Sequence, residues 1–211
     1  MSGYKLIVGS KNYSSWSLRG WLSMRQSGAP FEEIVVPFHT EKRGQLIREH
    51  SPSGLVPVLL DGDLLINDSL AIAEYLAERH PPAGLWPEDT TARAVARAVA
   101  AEMHSGFGAL RSALPMNFRL VRKGPTRSTD VDADVRRIEA IWRDSRSRFA
   151  QGGPFLFGEF CTADAMYAPA VSRLRTYSVD VAADSQAYMD AVWAHPWMME
   201  WGEAAAAEPA I

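Results

Sequence analysis

Cysteine is nearly missing from this sequence, with one in 211 residues. A lone thiol closes no intrachain disulfide and makes neither a Cys-x-x-Cys redox pair nor a cysteine-based zinc site, and its presence unpaired suits a reducing compartment such as the cytoplasm. Long apolar runs are missing too. No stretch approaches the roughly 20 residues that cross a bilayer, and Lys5 interrupts the first apolar segment, so neither a membrane span nor a cleavable signal is expected. Charge of one sign is also scarce: 22 Lys and Arg stand against 25 Asp and Glu, a net of −3, which offers no field to a nucleic acid backbone. Arg136, Arg137, Arg143, Arg146 and Arg148 do cluster, but aspartates interleave with them, the pattern of a solvated helix face. What remains is 47% hydrophobic, the composition of one or two ordinary globular domains.

The apolar residues follow two rhythms. Up to about residue 80, short strand-like runs alternate with helical patterns: Tyr4 to Val8, a helix from Ser15 to Ser27 stopped by Gly28-Ala29-Pro30, then Phe31 to Val36, a parallel βαβ unit. A short helix near Arg43 to Glu49 follows. Val56 to Leu60 and Leu64 to Ile66 flank Asp61-Gly62-Asp63 and predict an antiparallel hairpin, after which Ser69 opens a helix to about Arg79. The order βαβαββα predicts an α/β domain with a four-stranded mixed sheet, the thioredoxin-like layout, over residues 1–80. The Pro-rich stretch His80 to Pro87 reads as a linker, 81–90. Residues 91–211 show only helical periodicity and predict an all-α domain. Its first helix is expected to run unbroken from Thr91 to Leu114, about 35 Å at 1.5 Å per residue, with Val95, Val99, Met103, Phe107, Leu110 and Leu114 on one stripe. Thr129-x-x-Asp132 predicts the start of the next helix, ended by Gly152-Gly153-Pro154, and further helices are expected at about 163–176, 185–193 and 196–207.

Three segments carry chemistry. In Ser51-Pro52-Ser53-Gly54-Leu55-Val56-Pro57, a proline sits where a strand begins; a cis bond there turns the Val56 backbone toward a ligand, whereas a plain edge proline needs none. Asn67-Asp68-Ser69 opens a helix, whose free N–H groups favour an anion while Asp68 accepts from an ammonium; an ordinary cap uses the same residue types. The turn Ser10-Lys11-Asn12-Tyr13-Ser14-Ser15-Trp16 joins the first strand to the first helix, at the end of the sheet where α/β folds place ligands, and supplies hydroxyls and an amide suited to stabilising a thiolate.

Together these segments resemble the cytosolic glutathione transferase superfamily. The resemblance rests on SSWSLR, SPSGLVPVLLDG, NDSLAIAEYLAER and FLFGEFCTADA, and covers nearly the whole chain. It implies a cytoplasmic detoxification enzyme, usually a homodimer, that binds glutathione as cosubstrate without a metal, membrane or nucleic acid. By position it implies Val56 beside the cysteinyl backbone, Pro57 as a cis-proline, and Asp68 and Ser69 at the γ-glutamyl end. The first-helix motif looks most like the serine-type classes, zeta included. Counting seven residues back from Arg19 lands on Asn12, so the thiol hydrogen bond is expected from Asn12 or Ser15, then Ser14, with Tyr13 behind. Leu55 replaces a common Lys or Gln, for which Lys11, Lys42 or Arg43 is the expected substitute. Cys161 replaces the hydroxyl of a Ser/Thr-x-x-Asp capping box, at a cost of roughly 1 kcal/mol unless Thr162 caps instead. Met103, Phe107 and Arg111 are candidates for the electrophile pocket, Arg111 suiting a carboxylate; the alternative is that Met103 and Phe107 belong to the core stripe and Arg111 is a solvated or dimer-facing side chain. His104 is expected to be structural. The implied activity is conjugation of the activated thiol to small electrophiles. The alternatives are a glutathione-dependent isomerase of the maleylacetoacetate or maleylpyruvate type, and a noncatalytic glutathione- or ligand-binding protein.

Overall fold

The computed structural model describes residues 3–209. Its first seven elements are β1 (Tyr4–Gly9), α1 (Ser15–Gln26), β2 (Phe31–Val36), α2 (Arg43–His50), β3 (Val58–Asp61), β4 (Leu64–Asn67) and α3 (Ser69–Arg79). They form a four-stranded mixed sheet in the order β2-β1-β3-β4. β2 runs parallel to β1 with Phe31 opposite Tyr4, and β3 and β4 are antiparallel to their neighbours. Alternation along β1 explains how both faces are covered. Leu6 and Val8 join Leu18, Leu22, Ile72 and Leu76 under α1 and α3. Ile7 points the other way, onto Val36, Ile47 and Val58 beneath α2. Gly28 follows α1 at φ +69°, the left-handed conformation that ends helices.

After a 3-10 turn at Pro81–Ala83 the chain is helical: α4 (Thr90–Ser105), α5 (Gly108–Ala113), α6 (Thr129–Phe149), α7 (Thr162–Thr176), α8 (Ala183–Trp193) and α9 (Pro196–Ala207). The helix expected from 91 to 114 is two helices. Gly106 adopts an extended conformation and Phe107 a left-handed one (φ 58°), so the ladder stops and α5 restarts in a new direction. Leu110 N–H then finds the Asp134 carboxylate of α6 at 2.9 Å. The cap of α6 is Ser128 rather than Thr129, its Oγ accepting from Val131 N–H.

α7 is buried along nearly its whole length and packs against α1 and α4. Its start is a capping box in which the Cys161 sulfur faces the backbone N–H groups of Ala163 and Asp164, the place of the hydroxyl. Asp164 accepts from Cys161 N–H (3.0 Å), Leu156 N–H (3.1 Å) and the Tyr188 hydroxyl (3.0 Å). Burial pushes its carboxyl up to about 6 against the pull of these donors. Among the described residues, no helix is long and apolar enough to cross a membrane.

Candidate active site

The turn after β1 closes on itself before the helix starts: Tyr13 and Ser14 N–H donate to Ser10 C=O at 3.0 and 2.8 Å. Ser14 is the N-cap of α1. Its Oγ accepts from Ser17 N–H and donates to Ser17 Oγ at 2.8 Å, so both functions of that hydroxyl are used locally. Ser15 begins the helix, where backbone N–H groups have no intrahelical acceptor. Its Oγ accepts from Arg173 Nη2 of α7 at 3.1 Å. Because arginine only donates, the Ser15 hydroxyl proton is directed elsewhere.

Asn12 has the register for a thiol donor, yet its side chain is fully buried and spent. Nδ2 donates to Asn117 Oδ1 and Oδ1 accepts from Arg119 N–H, both at 2.9 Å. Its backbone is held as well: C=O accepts from Phe118 N–H at 3.0 Å and N–H donates to the Glu208 carboxylate at 3.1 Å. Register alone therefore overstates Asn12, because the segment after α5 takes the amide that counting assigns to a ligand.

The Val56–Pro57 bond is cis. Pro57 lies against α1: a Cβ on Gly20 would come 2.8 Å from Pro57 Cγ, so a glycine lets the loop approach the helix this closely. Val56 precedes the strand ladder, whose first register pairs are at Val58. Asp68, at φ +79°, caps α3 by accepting from Leu70 and Ala71 N–H through Oδ1. Its Oδ2 faces His104 Nε2 of α4 at 3.0 Å. Ser69 is buried beside it, and its Oγ has no partner among the described residues.

Trp16 ties these pieces together. His104 meets its ring edge-on at 5.1 Å, and the guanidinium groups of Arg19 and Arg111 lie 4.4 and 5.5 Å from its ring centre. Arg19 and Arg173 are buried with no carboxylate partner among the described residues; Arg19 Nε donates to Met166 C=O (3.1 Å) and Arg173 Nη1 to Leu114 C=O (2.6 Å). Burial, then repulsion from Arg173 and Arg111, pulls Arg19 down to about 9. Burial, then Arg111, pulls Arg173 down to about 10. Buried polar atoms are almost always satisfied, yet Arg19 Nη1, His104 Nδ1 and Ser69 Oγ have no partner among the described residues. The site is thus a cationic corner between α1, α3, α4, α5 and α7.

The remaining sequence candidates divide. Arg111 reaches this corner, its Nη1 donating to His104 C=O at 3.2 Å. Met103 is 1% exposed and Phe107 7%, both within the main core, so they are chiefly packing residues. Lys11 does not reach for a ligand: its Nζ pairs with Glu33 at 2.6 Å and lies under the Trp21 and Trp201 rings. Leu55, Lys42 and Arg43 are exposed. His104, expected to be structural, is the link between Asp68 and Trp16. Arg173 and Glu208 were missed. Arg173 left a signal, a cation inside the apolar run from Ala163 to Leu174, but Glu208 left none. Among the described residues, no group of His, Cys, Asp and Glu side chains is arranged to hold a metal. A cavity of about 640 Å³ beside Trp86 and Phe157 lies apart from this corner.

Residues 13–79 match the model of the glutathione S-transferase N-terminal domain. A probable maleylacetoacetate isomerase of Caenorhabditis elegans is 33% identical over 112 residues, 53% of this chain and 52% of that protein, so the alignment spans about half of this relative's length. A glutathione S-transferase of Triticum aestivum is 27% identical over 180 residues, 83% of each. A glutathione transferase homologue from Burkholderia, crystallised with bound glutathione, superposes with a TM-score of 0.74 at 22% identity, covering 98% of this chain and 100% of the other. Residues 13–79 thus carry the glutathione S-transferase N-terminal domain, and the chain as a whole has the fold of the solved transferase homologue.

Proposed function

We propose that the protein is a glutathione transferase, which binds glutathione across Val56, Pro57, Asp68 and Ser69 and presents its thiolate at the start of α1 to a small electrophile. The observation that carries this reading is the meeting of the cis-Pro57 loop, the buried unpartnered Ser69 hydroxyl and the first turn of α1 around one cationic corner. Ser15 is the donor this geometry favours over Asn12 and Ser14, whose polar atoms are spent. A thiol pKa lowered by about two units requires about 2.7 kcal/mol. One hydrogen bond to a charged sulfur contributes about 1.5–3 kcal/mol and the helix N-terminus about 0.3–1, so no metal is needed. The protein's part is to hold the thiolate and bring a carbon to it.

Arg111 favours a second reading, isomerisation of an unsaturated diacid. Its guanidinium has no carboxylate partner among the described residues and sits where a substrate carboxylate would relieve the repulsion among three arginines. Addition and loss of the same sulfur would turn over the double bond and leave glutathione unchanged. A homodimer belongs to the same proposal, with exposed Leu64 and Leu65 on edge strand β4 available to a second copy. The deciding assay follows thiol concentration with time, using an activated aryl halide in one arm and a maleyl-type diacid in the other. Thiol loss in the first arm is expected. Geometric conversion at constant thiol would favour the isomerase, and glutathione binding without turnover in either arm would overturn both in favour of a binding protein.

A further inference from the structure

We propose that Arg173 is a positioning residue for thiol activation, holding the Ser15 hydroxyl so that its proton points at the glutathione sulfur. The inference rests on the transferase reading and adds a residue from α7, far from the first-helix motif in sequence.

The geometry is a two-point anchor. Nη1 donates to Leu114 C=O at 2.6 Å and Nη2 to Ser15 Oγ at 3.1 Å, which fixes the guanidinium plane. With a lone pair of Oγ engaged by a cation, the hydroxyl can turn only its proton and its other lone pair elsewhere, and among the described residues no protein acceptor takes that proton. Polarisation by the guanidinium also makes the hydroxyl a stronger donor. Ser14, one residue away, donates its own proton to Ser17.

The electrostatics point the same way. A guanidinium on a residue only 6% exposed, with no carboxylate partner among the described residues, is costly to keep. The charged and titratable groups facing this corner are Arg19 of α1, Arg111 of α5, His104 of α4, Asp68 before α3, Tyr167 of α7 and Tyr177 after α7. Cations outnumber the one carboxylate, so a thiolate supplies charge that the protein lacks. On activation the thiol S–H bond breaks and its proton leaves to solvent; Ser15 and Arg173 keep theirs throughout.

The test is the pKa of bound glutathione, followed by thiolate absorbance at 240 nm, in the parent, Arg173→Met, Arg173→Gln, Ser15→Ala and the Arg173→Met/Ser15→Ala double variant. Each single substitution should raise the bound pKa by about one unit, a tenfold loss of thiolate. The double variant should shift no further than Ser15→Ala, because Arg173 acts through that hydroxyl. The acidic limb of kcat should move with it while KM for glutathione stays near the parent value. A second readout uses only the parent: the 15N signal of the Arg173 guanidinium should titrate with bound glutathione and stay flat with S-methylglutathione. A parent pKa that is lowered but untouched in the Arg173 variants, or a guanidinium blind to the thiolate, would overturn the inference and leave the transferase reading standing. A bound pKa that Ser15→Ala leaves at the parent value would overturn it as well. A parent that binds no glutathione would overturn both.

Discussion

Asn12 and Ser15 lie three positions apart in one turn, and their side chains are committed in opposite senses. Asn12 spends both ends of its amide on Asn117 and Arg119, whereas Ser15 accepts from Arg173 and keeps its proton. Asn12→Ala should therefore leave buried groups of the 117–119 segment unpaired, at about 1–3 kcal/mol each, while the thiol pKa of bound glutathione stays at the parent value. Thermal melting and the 240 nm titration, run on the same sample, separate these effects. The sequence showed that this turn is polar and lies at the ligand end of the sheet. It did not show which polar group is spent, because the spending partners lie more than a hundred residues downstream.

Helices and strands were legible where one residue's neighbours decide its fate. Alternation in β1, Asp61-Gly62 in the hairpin and Gly28 after α1 all act within a few positions, and the structure follows them. The break between α4 and α5 went unread although Gly106-Phe107-Gly108 carries it, because the apolar spacing of Met103, Phe107 and Leu110 continues across the gap. At α7, the Asp164 carboxyl is raised from 3.8 to about 6. The native protein then holds a proton that the unfolded chain has lost across that window. The contribution of this carboxyl to stability is thus greatest below the window and falls as pH rises through it, by about 3 kcal/mol at 1.36 kcal/mol per unit. Denaturant midpoints taken between pH 4 and 7 should show this decline, and Asp164→Asn should flatten it while being less stable than the parent throughout, since an amide cannot accept from all three donors.

Across the whole molecule, the first loop is clamped from the opposite end of the chain. Glu208 accepts Lys11 and Asn12 N–H at 2.6 and 3.1 Å, and its C=O accepts from Arg119 Nη1 at 2.6 Å. Trp201 Nε1 donates to Lys11 C=O at 2.9 Å. Glu208→Ala should strip two backbone donors of their acceptor, costing about 1–3 kcal/mol. Hydrogen exchange should locate the loss at the amides of residues 11 and 12, with the core of α7 still protected; uniform loss of protection would mean that the clamp is not local.

The separation of 197 positions between Lys11 and Glu208 also sets a schedule. At about 5–20 residues per second, a ribosome needs roughly 10–40 s after making the first loop to deliver the carboxylate that secures it. Until then the strands of the first domain can pair, but the turn between β1 and α1 lacks the acceptor for its Lys11 and Asn12 amides, so that turn is the last part of the first domain to be locked.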